Sequence, residues 1–178
     1  MRRVALLLFP IITSCGVSPL QSISKDGDAC LFGVGRIPTC EHASAALQIK
    51  ASPMLAPLAD DQVLLQAVAA SINGQEQRLE IAPDTVFFAG DIGHIAFDDI
   101  NFDGFPDLAI TTSAGAKHVF LDYWLYSQNA KRFVRLGNLP ELTADPATQT
   151  LSLQVQVSET QYERKRLKWD GSNLIPID

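Results

Sequence analysis

The sequence predicts an all-β chain, a small antiparallel β meander of degenerate, propeller-like form, and three observations carry that expectation. Leu151, Leu153, Val155 and Val157 alternate with polar residues, a period of two that excludes an amphipathic helix. Short apolar runs rich in β-branched and aromatic residues recur along the chain, separated by turn pairs such as Asn73-Gly74 and Asp170-Gly171. Between two of these runs lies a loop, residues 99–107, dense in oxygen-bearing side chains. Many short strands on short turns give a sandwich, a barrel or a propeller-like meander.

The chain opens differently. Arg2 and Arg3 precede a stretch, residues 4–12, that is apolar apart from Pro10; it is too short to span a bilayer as a helix and has the form of an export signal. It ends at Ile12-Thr13-Ser14-Cys15, which resembles the cleavage and lipidation box of bacterial lipoproteins. Small residues suit the narrow peptidase cleft, and the Cys15 sulfur would take the lipid. Residues 1–14 are therefore expected to be a signal peptide, residues 15–29 a lipidated N-terminus and flexible tether, and residues 30–178 one domain. The alternative is a buried first strand with a free Cys15 thiol. On the lipoprotein reading the protein faces the periplasm of a bacterial envelope, at the outer membrane, held there by its lipid.

Two further cysteines, Cys30 and Cys40, would then lie outside the reducing cytosol. A disulfide is the expected state in an oxidising compartment and could contribute roughly 2–3 kcal/mol. A zinc site completed by His42, or unpaired thiols, are the alternatives; two thiols and one imidazole leave the zinc tetrahedron incomplete.

From Ala45 the pattern changes. Leu47-Gln48-Ile49-Lys50 alternates, and residues 63–72 are apolar enough for a strand or for a short helix over 61–71. Asn73-Gly74 favours the strand, because both residues accept positive φ in a hairpin turn, with Leu79 and Ile81 facing inward on the return. Residues 85–88 and 94–97 are two more short strands leading into the loop. Strands resume at residues 108–112 and 119–126; residues 127–130 turn the chain, and Phe133-Val134 begins the return. Residues 151–157 and 162–169 form the last pair, and Asp170-Gly171 turns toward Leu174-Ile175.

The chain has 20 acidic and 14 basic residues, a formal charge of −6. Loss of residues 1–14 would take Arg2 and Arg3 and no acid, shifting it to −8. That balance argues against a nucleic-acid ligand, whose phosphates would be repelled, and suits a cationic protein partner. Between Arg78 and Lys117 no lysine or arginine occurs, yet Asp84, Asp91, Asp98, Asp99, Asp103 and Asp107 do. Carboxylates packed together without a cation repel one another. The spacing sharpens this: Asp99, Asn101 and Asp103 occupy positions one, three and five of a loop, Gly104 the tight-turn position six, the Phe105 carbonyl position seven, and Asp107 position nine. Alternate oxygens pointing inward are what calcium needs for its six to eight hard ligands. The expected metal ligands are therefore Asp99, Asn101, Asp103, Phe105 and Asp107, with Ca2+ as the cofactor and Asp98 outside the ligand set. Ile110 stands where a helical calcium hand has its glutamate, so the loop fits the shorter D-x-N-x-D-G-x-x-D pattern instead.

That pattern resembles the calcium loops of integrin-type propeller repeats. Taken with Tyr123-Trp124-Leu125-Tyr126, Phe133, residues 139–142, Tyr162 and Lys168-Trp169, it resembles a Xanthomonas-type family of small exported bacterial lipoproteins. The resemblance implies a propeller-like calcium domain that acts as an immunity protein, inhibiting a peptidoglycan hydrolase in the periplasm. The implied partner is a cationic peptidoglycan hydrolase or another envelope protein. An acidic loop would suit the basic substrate groove of such an enzyme and speed association. Tyr123, Trp124 and Tyr126 are candidate anchors, although alternation sends at least one inward. A passive calcium-binding adhesion or scaffold module is the competing class. Enzyme activity is not expected: His42, His94 and His118 belong to no nucleophile elbow or metalloprotease motif, and no glycine-rich phosphate loop occurs.

Overall fold

The structure, a computed structural model, describes residues 30–45, 47–82, 85–113 and 119–177. The expected signal peptide, Cys15 and tether, together with Asp84 and His118, lie outside the described residues. Within them every regular element is a strand, and every pairing is antiparallel. The chain is all-β, and it forms neither a closed barrel nor a propeller among the described residues. It builds three sheets, each containing a four-stranded meander of consecutive strands.

The first sheet runs β2 (Cys40–Ala43), β3 (Gln48–Ala59), β4 (Gln62–Ile72), β5 (Gln75–Glu80), with β6 (Val86–Phe88) pairing the first residues of β4, Gln62 to Leu64. The middle sheet places β1 (Cys30–Phe32) beside β7 (Gly93–Asp98), then β8 (Asp107–Ser113), β9 (Phe120–Ser127) and β10 (Arg132–Pro140). The last sheet is β11 (Thr143–Asp145), β12 (Thr150–Gln156), β13 (Tyr162–Asp170) and β14 (Asn173–Ile177).

Side chains alternate across the middle sheet, so it feeds two cores. Leu108 and Ile110 of β8 and Trp124 and Tyr126 of β9 pack with Ile49, Leu65, Val68, Leu79 and Phe87 of the first sheet and its connections. Ala109, Leu121 and Tyr123 face the other way, onto Leu151 and the half-buried Leu167, Trp169 and Leu174 of the last sheet. A disulfide joins Cys30 on β1 to Cys40 on β2, linking the first two layers, and rules out the zinc and free-thiol alternatives. Gln77 adds a second link: its side-chain amide donates to the Phe133 carbonyl and accepts from the Phe133 N–H, both at 2.8 Å.

Where a short helix over 61–71 was the alternative, the chain forms the strand β4, Gln62–Ile72. Asn73 and Gly74 adopt φ of 48° and 84°, the left-handed pair a tight hairpin requires, and Leu79 and Ile81 are buried as expected. β1, the four-residue β2, β11 and the far half of β3 were not legible. β1 and β11 are only three residues long, and the far half of β3 carries Pro53 and Pro57, which read as breakers. They are tolerated because β2 covers β3 only from Gln48 to Ala51. Gln48 donates its N–H to Asn73 Oδ1 on the β4 side, so the odd-numbered positions, both prolines among them, present their missing N–H to the uncovered edge. Val157 falls outside β12 and is exposed rather than continuing its inward face.

Candidate metal centre

β7 and β8 are adjacent and antiparallel, with Asp98 opposite Asp107, and the loop between them reverses the chain by folding backbone amides onto side-chain oxygens. The Asp103 N–H is shared by Asp99 Oδ1 at 3.0 Å and Asn101 Oδ1 at 3.1 Å. Gly104 N–H donates to Asp99 Oδ2 at 2.8 Å, and Phe105 N–H to Asp103 Oδ1 at 2.9 Å. The Asn101 amide donates to Asp103 Oδ2 at 3.1 Å. Such Asx turns draw side-chain oxygens to the inside of a loop. Gly104 has φ of 85° with open space where a Cβ would stand; the backbone conformation, not crowding, calls for glycine there.

Asp107 anchors the loop to the core. Its carboxylate is 1% exposed; Oδ2 accepts the Ile100 N–H at 3.1 Å and Oδ1 the Tyr126 N–H at 2.8 Å. Burial pushes its pKa up to about 8; the two amides oppose the shift, and the negative charges of Asp103 and Asp99 add to it. Asp98 is also pushed up, mainly by burial. Its Oδ1 accepts the Asp99 N–H at 2.9 Å.

Of the five expected ligands, Asp99, Asn101 and Asp103 are thus interlaced, and Asp107 lies where their charges reach it. The ring of Phe105 packs on Tyr126, centroids 5.7 Å apart, and fixes the loop's exit. Among the described residues no group of three or more His, Cys, Asp or Glu side chains is gathered as a metal cage. The oxygens are turned onto loop amides, each carboxylate oxygen retaining a further lone pair. Donor type and charge fit a hard, oxygen-seeking divalent cation and disfavour a soft one.

Sequence reasoning missed how the loop is held from outside. Trp169 Nε1 on β13 donates to the Ile100 carbonyl at 2.7 Å, so the Ile100 backbone joins Asp107 through its N–H to the last sheet through its carbonyl. A tryptophan paired to a backbone carbonyl 69 residues away leaves no local signal in the sequence. The candidate aromatic anchors also change role: Tyr123, Trp124 and Tyr126 are all buried. Tyr123 Oη accepts the Leu142 N–H at 2.7 Å, and burial pushes its phenol up to about 12.

The other polar clusters serve packing. Asp122, fully buried, accepts from the Arg135 guanidinium at 2.9 Å and from Asn138 at 2.9 Å, which neutralises a carboxylate that would otherwise be costly inside. His94 Nδ1 lies 2.9 Å from Thr111 Oγ1, which also accepts the His94 N–H; burial lowers the ring's pKa, Glu141 opposing. The His42 ring stacks on Phe97.

No family model, curated protein or solved structure matches the chain.

Proposed function

We propose that residues 99–107 hold a calcium ion that clamps an exported β domain, and that this domain, anchored to the envelope through Cys15, inhibits a peptidoglycan hydrolase as an immunity protein does. The observation that carries the metal reading is the buried Asp107 carboxylate, set beside the charges of Asp99 and Asp103. A divalent cation bound through Asp99, Asn101, Asp103, Asp107 and the Phe105 carbonyl would supply the neutralising charge, and its binding would be folding free energy because the unfolded chain has no formed site. The inhibitor reading rests on the export signal, the acidity and the family resemblance. The burial of Tyr123, Trp124 and Tyr126 favours a second reading, a passive calcium-stabilised adhesion or scaffold module, because it removes the aromatic anchors from the surface.

Two measurements test the proposal separately. Calorimetry of calcium-free and calcium-loaded protein should show a higher Tm with calcium; no change at millimolar calcium removes the metal. Purified protein should block a cell-wall hydrolase encoded nearby or delivered by a competitor at near-stoichiometric ratio. No inhibition, with no growth defect under competitor attack when the gene is deleted, leaves the passive module.

A further inference from the structure

Ile37, Ile92, Leu58 and Phe88 are the most exposed of the described large apolar side chains, at 63%, 59%, 54% and 52%. They are scattered in sequence, and single exposed aliphatic residues need no explanation. The topology, however, brings the segments that carry Leu58, Phe88 and Ile92 to one end of the molecule. Leu58 precedes the β3–β4 turn, Phe88 and Ile92 bracket the β6–β7 turn, and Ile37 lies in the β1–β2 connection.

Backbone contacts hold these three connections together. Ala89 N–H donates to the Asp61 carbonyl at 2.7 Å, joining the first two. Phe88 and Asp91 exchange bonds, Asp91 Oδ2 accepting the Phe88 N–H at 2.9 Å and the Phe88 carbonyl the Asp91 N–H at 3.0 Å. Phe32 pairs with Gly93, and Gly33 lies so close to the Asp91 carbonyl that a Cβ would stand 2.7 Å from it. The patch is therefore preorganised, which lowers the ordering cost of binding.

Charge selects the occupant. Asp60, Asp61 and Asp91 lie in these connections against one cation, Arg36. An anionic bilayer would repel such a balance of charge, and a two-fold contact with a second copy would set like charges together. A basic protein surface would be attracted to these carboxylates and would bury the aliphatic centre, the usual division between charged periphery and apolar hot spot.

We infer that this end of the domain, centred on Leu58, Phe88 and Ile92, is the docking surface for a basic protein partner. The inference rests on the inhibitor reading for the partner's class. It places recognition at the start of β7 and the metal loop at its end, about 20 Å apart at the usual strand rise.

The test immobilises a purified basic lysozyme and measures binding of the full chain by interferometry, with cell-wall lysis followed in parallel. Leu58→Asp and Phe88→Asp should each weaken binding about tenfold or more, the scale of a hot-spot residue, and raised salt should weaken wild-type binding. Val134→Asp, equally exposed but beside the metal loop, should bind as wild type; circular dichroism confirms that all three fold. Inhibition of lysis that survives both patch substitutions overturns the docking surface and leaves the inhibitor reading standing. Patch-dependent binding without inhibition supports the surface and removes the inhibitor reading. No wild-type binding overturns both. Dimerisation, or sedimentation with phosphatidylglycerol vesicles, that is lost in Leu58→Asp overturns the choice of partner.

Discussion

The two faces of the middle sheet are held very differently. Toward the first sheet it shares, among the described residues, a core of nineteen buried side chains, reinforced by the Cys30–Cys40 disulfide and the Gln77 bridge. Toward the last sheet five are buried, of which Leu151 alone belongs to that sheet. The difference teaches where cooperativity ends: the first two layers should unfold together, whereas β11–β14 depends on a few half-buried side chains and on the Trp169 bond to Ile100. Because Ile100 also donates to Asp107, the loop of residues 99–107 governs the weaker of the two joints.

The comparison breaks most severely in the large core. Phe87→Ala, at a fully buried ring packed edge-on to Phe32, should cost about 3–5 kcal/mol, measured by denaturant unfolding, with all layers lost together. Leu151→Ala should cost about 2–4 kcal/mol, and hydrogen exchange should then show β12 and β13 opening while β4 and β8 stay protected.

Calcium should sharpen the contrast. At free calcium near 100 times the Kd the gain is about 2.7 kcal/mol, and Asp103→Ala should lose most of it, while substitution of Asp98 should change much less. Gly104→Val should do broader damage, because its φ is positive. pH supplies a separate handle on the same joint. The folded pKa of Asp107 is raised to about 8, so the metal-free folded protein keeps a proton that the unfolded chain releases near pH 4. Stability without calcium should therefore fall as pH rises from about 4 to about 8, and calcium, by stabilising the ionised carboxylate, should flatten that fall in pH-resolved melting curves.

Trp169→Phe is the mildest perturbation. It keeps the ring but removes the bond to Ile100, so it should cost about 1 kcal/mol, confined to exchange protection in the last sheet and the metal loop.

Much of this was legible beforehand because it is local. The alternation from Leu151 to Val155, the Asn73-Gly74 turn and the spacing of Asp99, Asn101, Asp103 and Gly104 are each written within a few residues, and the strands and turns they predict are present. What the sequence hid is long-range. Three-residue strands such as β1 and β11 are strands only because β7 and β12 accept them. Nothing around Trp169 names Ile100 as its partner, and the run Tyr123-Trp124-Leu125-Tyr126 suggests surface anchors until the sheet is seen to be covered on both faces. The joining of the β3–β4 and β6–β7 turns through Ala89 and Asp61 was hidden in the same way.

Pro53 and Pro57 have a consequence beyond strand length. From Ser52 onward β3 is uncovered by β2, and an exposed strand of that length offers a row of amides on which another chain could add itself. Two of the donors on that side are absent. A protein held by lipid at a membrane would be concentrated in two dimensions, where edge-to-edge growth is most dangerous, and the prolines make this edge a poor template for it.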